Sequence, residues 1–341
     1  MSRLLTLSAI LIAFLSTLYI YTPQHYYSSL SSLSSLYMTS TQNTQNTTGQ
    51  MSKAANMAKS ILRQAKITPH LSAERGHSDH GWLNTYHTFS FADFMGKHNH
   101  FGSLRVLNED RVKANNGFPT HPHRDFEIFS YILSGELTHR DSMLAKGKEG
   151  GQSDSFYRMH RGDVQFTTGG TGIAHSEFNE HKTDTVHFLQ IWAIPWKRGL
   201  APRYHTRNFA DEDKRKGFVK ILSPLKAGVD ATAQEEKDAT PAIPDTIPIH
   251  ADFVMGAGLI APENKFEWTV GGGGTEQPKR KVYVHLVMTQ KGNAKIRLDG
   301  REDAELGEGD GAFIEGVSAG DKLQVESIGS AEAEVVVLDT A

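Results

Sequence analysis

From about residue 65 onward, apolar and polar positions fall into short runs divided by Gly, Asn and Pro. SLRVLN (103–108), FEIFSYIL (126–133), DVQFTT (163–168) and TVHFLQIWAI (185–194) each have the length and composition of a strand. Closely spaced strands with turn signals between them predict an all-β sandwich or barrel. FEIFSYIL is apolar on both parities, which predicts a buried central strand. Ser134-Gly135 directly after it predicts a tight hairpin turn, with ELTHRDSM as the returning strand. Almost nothing here has the periodicity of a long amphipathic helix. After Arg207 the pattern loosens, and 226–248, with prolines at 241, 244 and 248, reads as connecting chain. Strand-like runs then resume: IHADFVMGAGLI, FEWTV, VYVHLVM, AKIRL, GAFI, DKLQVES and EVVVLD. The pattern predicts two β-domains, at 65–208 and 249–341, joined by a linker at 209–248 and without a strict repeat between them.

Ahead of the strands lies LLTLSAILIAFLSTLYIY (4–21), an uncharged apolar run long enough to cross a bilayer as a helix. Residues 1–22 are therefore expected to be a signal anchor or targeting segment, and 23–64, rich in Ser, Thr and Gln, a disordered spacer. Membrane anchorage is the favoured expectation. Two alternatives stay open. The stretch from Met1 to Ala73 has no Asp or Glu, which suits a mitochondrial transit peptide. Initiation at Met51 or Met57 would leave a cytoplasmic or nuclear protein. Asn46-Thr47-Thr48 matches a glycosylation sequon, which matters only if the spacer enters the secretory lumen.

Charge and composition narrow the chemistry. The formal charge of −3, from 36 basic and 39 acidic residues spread along the chain, gives no basic stripe, so direct nucleic-acid binding is not expected. There is no cysteine, so disulfides, thiolate metal sites and Cys nucleophiles are excluded. Of the 17 histidines, 14 lie between His70 and His205.

Spacing selects among them. His121-Pro122-His123 precedes the FEIFSYIL run, and residues two apart on a strand share a face, so both imidazoles can meet one metal. His175-Ser176-Glu177 repeats the spacing after the turn-rich Gly169-Gly170-Thr171-Gly172 and offers a third imidazole and a carboxylate. If the two strands face one another, the four side chains form an N3O set with open positions, suited to iron, manganese, nickel or copper. His98-Asn99-His100 shares the first spacing but has no such partner, and reads as a loop. In the second domain only His250 and His285 are available, so one metal per chain is expected.

Gly117, His121, His123, Glu127 and Gly135 approximate the first cupin motif, and Gly162, His175 and Asn179 the second. The segments RGHSDHGWLNTYHTFSFADF, LRVLNEDRV, GFPTHPHRDFEIFSYILSGELTHRDSM, GDVQFTTGGTGIAHSEFN and LQIWAIP resemble the N-terminal cupin of the pirin family. The later half resembles more loosely the C-terminal cupin of quercetinase-type pirins, so the resemblance covers about 66–341. Three residues rather than five separate Gly117 from His121, a departure from ordinary cupins that pirins share.

The resemblance implies two tandem cupin domains (small β-barrels or jelly rolls), the first binding metal and the second metal-free. It implies ligands at His121, His123, His175 and Glu177, with Fe2+ as the metal, and with Glu127 and Asn179 behind the ligands. Glu127 could equally be a buried partner for Arg124 or another base. It further implies a monomeric dioxygenase that cleaves flavonols such as quercetin with O2, Glu177 taking the substrate proton. Two other functions remain: an iron-dependent redox switch in an interaction protein, and a small-molecule binder without turnover.

Overall fold

The computed structural model of the chain describes residues 65–143, 156–272 and 279–341. Its first half runs β1 (Lys66–His70), β2 (Gly76–Asp79), β3 (Leu83–His87), β4 (Leu104–Val112), β5 (Asn116–His123), β6 (Glu127–Ser134), β7 (Leu137–Asp141), β8 (Tyr157–Met159), β9 (Asp163–Thr168), β10 (Ile173–Asn179), β11 (Val186–Ala193) and β12 (Arg203–Asn208). The second half runs α1 (Asp211–Lys214), β13 (Val219–Pro224), α2 (Ala233–Asp238), β14 (Ile247–Ile249), β15 (Phe253–Ile260), β16 (Lys265–Thr269), β17 (Lys279–Leu286), β18 (Lys295–Leu298), β19 (Glu305–Gly307), β20 (Gly311–Ser318), β21 (Lys322–Ser327) and β22 (Ala333–Thr340).

The two halves share one plan. In the first, a seven-stranded sheet β12-β9-β6-β11-β4-β3-β2 is paired with a four-stranded sheet β5-β10-β7-β8. In the second, β1-β20-β17-β22-β15-β13-β14 is paired with β16-β21-β18-β19. This is the all-β, two-barrel cupin architecture that the strand pattern and the resemblance predict.

β6 shows why one strand must be apolar on both parities. It lies between β9 and β11, with Phe129 opposite Phe166 on one side and Ile191 on the other. Phe129, Tyr131 and Leu133 face outward into a core shared with Phe253, Met255, Val336 and Leu338 of the second half. The two seven-stranded sheets thus pack against one another, each fully buried Phe or Leu contributing about 1.5–3 kcal/mol. The alternate residues point into the first barrel. There Ile132 joins Leu83, Val112, Leu137, Met159 and Phe188 in a small apolar cluster, while Ser130 faces a polar interior. Gly135 makes the predicted hairpin with φ of 78°, a left-handed conformation that costs glycine nothing.

The second barrel is filled instead by one apolar cluster that includes Trp268, Val282, Val284, Leu298, Val325 and Val337. His285 of the second barrel and His187 of the first are used structurally. His285 donates to Glu109 Oε2 at 2.9 Å and His187 to Glu109 Oε1 at 2.9 Å, with Arg75 3.3 Å from the same carboxylate. Burial alone would raise the Glu109 pKa, yet the hydrogen bonds from His187 and His285 and the charge of Arg75 hold it well below the usual carboxylate range.

Three expectations require correction. β1, placed by the sequence pattern in the first domain, pairs antiparallel with β20, from Lys66 opposite Glu315 to His70 opposite Gly311. Its alternation sends Ile67 into the second barrel's core. The expected linker at 209–248 contains helices and the strand β13, whose Ile221 and Leu222 are buried and which pairs with β15 and β14. Its charged and proline-rich flanks mask that short apolar run. The expected membrane anchorage is also overturned, because among the described residues no helix is long and apolar enough to cross a membrane. The apolar run at 4–21, the spacer and the sequon lie outside the described residues.

Candidate metal centre

β10 is central to the four-stranded sheet of the first barrel, with β5 on one side and β7 on the other. Its register puts His175 opposite His121 of β5 and opposite Asp141 of β7. His123 shares a face with His121, two residues on. The three rings His121, His123 and His175 have centroids 4.6–4.7 Å apart and planes inclined by 62–88°. Their ligand nitrogens lie within 4.8 Å of one another. His175 is buried, while His121 and His123 are half-buried, so one side of the cluster faces outward.

Hydrogen bonding fixes where the lone pairs point. His121 Nδ1 lies 2.7 Å from the carbonyl oxygen of Pro119. A carbonyl only accepts, so the proton sits on Nδ1 and Nε2 presents its lone pair. That Nε2 is 3.1 Å from Nε2 of His175. Burial first, and neighbouring imidazoles second, push His175 down to about 2 and His123 down to about 4. Both rings are therefore neutral near pH 7, the form that binds metal. Three imidazoles with converging nitrogens and an open side fit a transition metal.

Glu177 follows on the same face of β10, past a bulge in the β5 pairing. Its carboxylate lies outside the imidazole trio, with Oε1 2.9 Å from Ser130 Oγ and Oε2 accepting from Gln190 Nε2 at 2.8 Å. Burial raises its pKa to about 7, opposed by the Ser130 and Gln190 hydrogen bonds. Ser130 also lies 3.1 Å from the Gln190 carbonyl. One hydroxyl proton serves one acceptor at a time, so Ser130 donates either to Glu177 or to Gln190.

Of the residues expected behind the ligands, neither touches them. Glu127 is fully buried, accepts from Thr168 Oγ1 at 3.1 Å and lies 3.4 Å from His250 Nδ1. It is the buried partner of a base, and that base is His250. Asn179 donates to the carbonyls of Val112 and Asp184 at 2.9 and 2.7 Å and accepts from the His181 amide at 3.0 Å. It closes the turn after β10. His98 and His100 lie in a loop, as their isolation predicts.

The structure adds residues that the motif reading passed over. His139 of β7 is fully buried with Nε2 2.8 Å from His175 Nδ1, and its Nδ1 is 3.3 Å from the Tyr204 hydroxyl. His139, Asp141 and His175 form a second group with ligand atoms within 4.8 Å. The signal was in the sequence: His139-Arg140-Asp141 repeats the two-residue spacing on the returning strand. Ser130 and Gln190 announce themselves as lone polar residues inside apolar strands. Trp192 places its ring edge-on 4.9 Å from that of His123.

Fold and site together define a two-barrel cupin with a histidine cluster for a transition metal in the first barrel. The sequence profile described as Pirin matches residues 69–193. A Caulobacter vibrioides relative named pirin-like protein is 37% identical over 190 residues, which cover 55% of this chain and 71% of that one. The chain belongs to the pirin family. It is also similar to an Escherichia coli K12 protein named quercetin 2,3-dioxygenase, 44% identical over 156 residues, or 44% of this chain. That match spans 60% of the relative, less than two thirds of its length. Among solved structures, the bacterial pirin YhhW of Escherichia coli in complex with nickel(II) superimposes with a TM-score of 0.62 at 28% identity, covering 81% of this chain and 99% of that one.

Proposed function

We propose that this chain is a metal-dependent dioxygenase acting on a flavonol-like aromatic substrate, with His121, His123, His175 and Glu177 as the metal ligands. One observation carries the reading: the Nε2 atoms of His121 and His175 stand 3.1 Å apart with His123 beside them and an outward-facing side. The similarity to a protein named quercetin 2,3-dioxygenase supplies the substrate class.

Bound there, iron or a similar ion would supply a Lewis acid for a substrate hydroxyl and a binding partner for oxygen. The chain's own residues do the rest. His121 and His175 are held by hydrogen bonds that aim Nε2 inward. Trp192, edge-on 4.9 Å from the His123 ring and packed on Phe126 at 5.4 Å, offers apolar surface suited to an aromatic substrate. Glu177, two residues from His175 on the same face of β10, offers a carboxylate for a substrate proton. The substrate hydroxyl proton would pass to a Glu177 carboxylate oxygen, with Ser130 and Gln190 steadying the group.

The test is oxygen-dependent quercetin turnover by the protein reconstituted anaerobically with iron, manganese, nickel or copper. Turnover that disappears in Glu177→Gln supports the reading. Tight metal binding with no turnover on any of the four metals counts against it.

A further inference from the structure

We propose that His139, backed by Tyr204, is a positioning residue for the metal centre: it accepts the Nδ1 proton of His175 and so frees the Nε2 lone pair of His175 for a cation. The inference rests on the metal-centre reading above.

Four groups stand in a row. The Tyr204 hydroxyl is 3.3 Å from His139 Nδ1, His139 Nε2 is 2.8 Å from His175 Nδ1, and His175 Nε2 is 3.1 Å from His121 Nε2. The far end is fixed, because Pro119 O holds the His121 proton on Nδ1 at 2.7 Å. Two proton arrangements satisfy the rest. In one, every proton points towards His121: Tyr204 donates to His139, His139 to His175, and His175 Nε2–H to His121. In the other, every proton points back: His175 Nδ1–H donates to His139 Nε2, and His139 Nδ1–H to the Tyr204 oxygen. The second leaves two bare Nε2 lone pairs facing one another, an arrangement that a shared cation stabilises.

Both arrangements contain the same number of protons and no net charge, so the row changes state without creating a charge in the barrel interior. Imidazole and hydroxyl suit this because each both donates and accepts. Metal-ligating histidines commonly donate their second N–H to a carboxylate or carbonyl, which fixes the ring. A neutral imidazole can do the same here. Tyr204 also lies over the His139 ring, with centroids 5.5 Å apart and planes 30° off parallel, which restrains its rotation. The strand pairing supports the placement, since β7 sets His139 opposite Glu177, next to His175 on the same sheet.

The experiment measures nickel(II) affinity, by competition with a chelator, for wild type, His139→Leu, His139→Gln and Tyr204→Phe, with thermal melting to verify folding. The visible spectrum of each protein loaded with cobalt(II) reports ligand geometry. His139→Leu is expected to bind nickel(II) about 10- to 100-fold more weakly, the range for loss of a partner behind a ligand. His139→Gln, whose carbonyl can accept from His175, is expected to recover most of the affinity and the wild-type cobalt spectrum. Tyr204→Phe should lose less than His139→Leu. Wild-type affinity in a folded His139→Leu, or a Gln variant no better than Leu, would overturn the inference. Two nickel ions per wild-type chain would also overturn it, by making His139, Asp141 and His175 a second site. Failure of wild type to bind nickel(II), iron(II) or manganese(II) is a different result, because it removes the metal centre itself.

Discussion

Gln190 donates from Nε2 to Oε2 of Glu177 at 2.8 Å, joining the centre of β11 to β10, the strand that carries His175. Gln190→Leu leaves a buried carboxylate with one partner fewer, which costs about 1–3 kcal/mol. If Glu177 turns onto a bound metal, that cost applies mainly without metal. The fall in melting temperature should therefore be large in metal-free protein and smaller with nickel(II). An equal fall in both would mean that Glu177 stays on Gln190 and is not a ligand.

Gly117 of β5 lies against the backbone of β10, where an added Cβ would press on the carbonyl of Glu177 and stand 2.6 Å from the Phe178 Cα. Those neighbours are backbone and cannot swing aside. Gly117→Ala is expected to push the two strands that carry the proposed ligands apart, costing about 1–3 kcal/mol and weakening metal binding. Chemical denaturation and metal titration of the same variant check both effects. A variant with wild-type stability and affinity would contradict the close packing.

His250 joins the halves of the molecule through pH-sensitive contacts, 3.4 Å from Glu127 and 2.8 Å from Glu236. Burial works against its charge, but the two carboxylates outweigh burial and raise its pKa above 6.5. A raised folded-state pKa means that the stabilisation is complete below about pH 6.5 and is lost as pH rises through the folded value. The melting-temperature gap between wild type and His250→Gln should accordingly narrow as pH rises from 6 to 9. A constant gap would show that His250 contributes no ionic tie.

Glu109 is the buried hub that Arg75, His187 and His285 share across the two barrels. Removing one member of a buried charged set typically costs about 3–5 kcal/mol, because the remaining charge is stranded. Glu109→Leu should destabilise the protein by that order, measured by denaturant unfolding. A change under about 1 kcal/mol would mean that the hub contributes little beyond its packing.

The strand rhythm made most of the fold legible, because a strand buried on both faces, such as β6, must be apolar throughout. β1 was misplaced for a physical reason: a five-residue alternating strand shows which face it buries but not against which sheet. β13 was hidden by the charged and proline-rich chain around it. For the centre, the paired spacing of His121 with His123 and of His175 with Glu177 was enough to bring three imidazoles together, since alternate strand residues share a face. The partners behind them were harder to read. Ser130, Gln190 and His139 belong to three strands whose register no single sequence displays, and Glu127 turned out to serve His250. The apolar leader lies outside the described residues, among which no helix is long and apolar enough to cross a membrane.

The most direct test of the account is metal stoichiometry, measured by elemental analysis after anaerobic loading with iron(II) or nickel(II), for wild type, His121→Ala, His175→Ala and His98→Ala. The account predicts one ion per chain in wild type and His98→Ala, and none retained in His121→Ala or His175→Ala. Equal loading of all four proteins, or equal loss in all three variants, would contradict it.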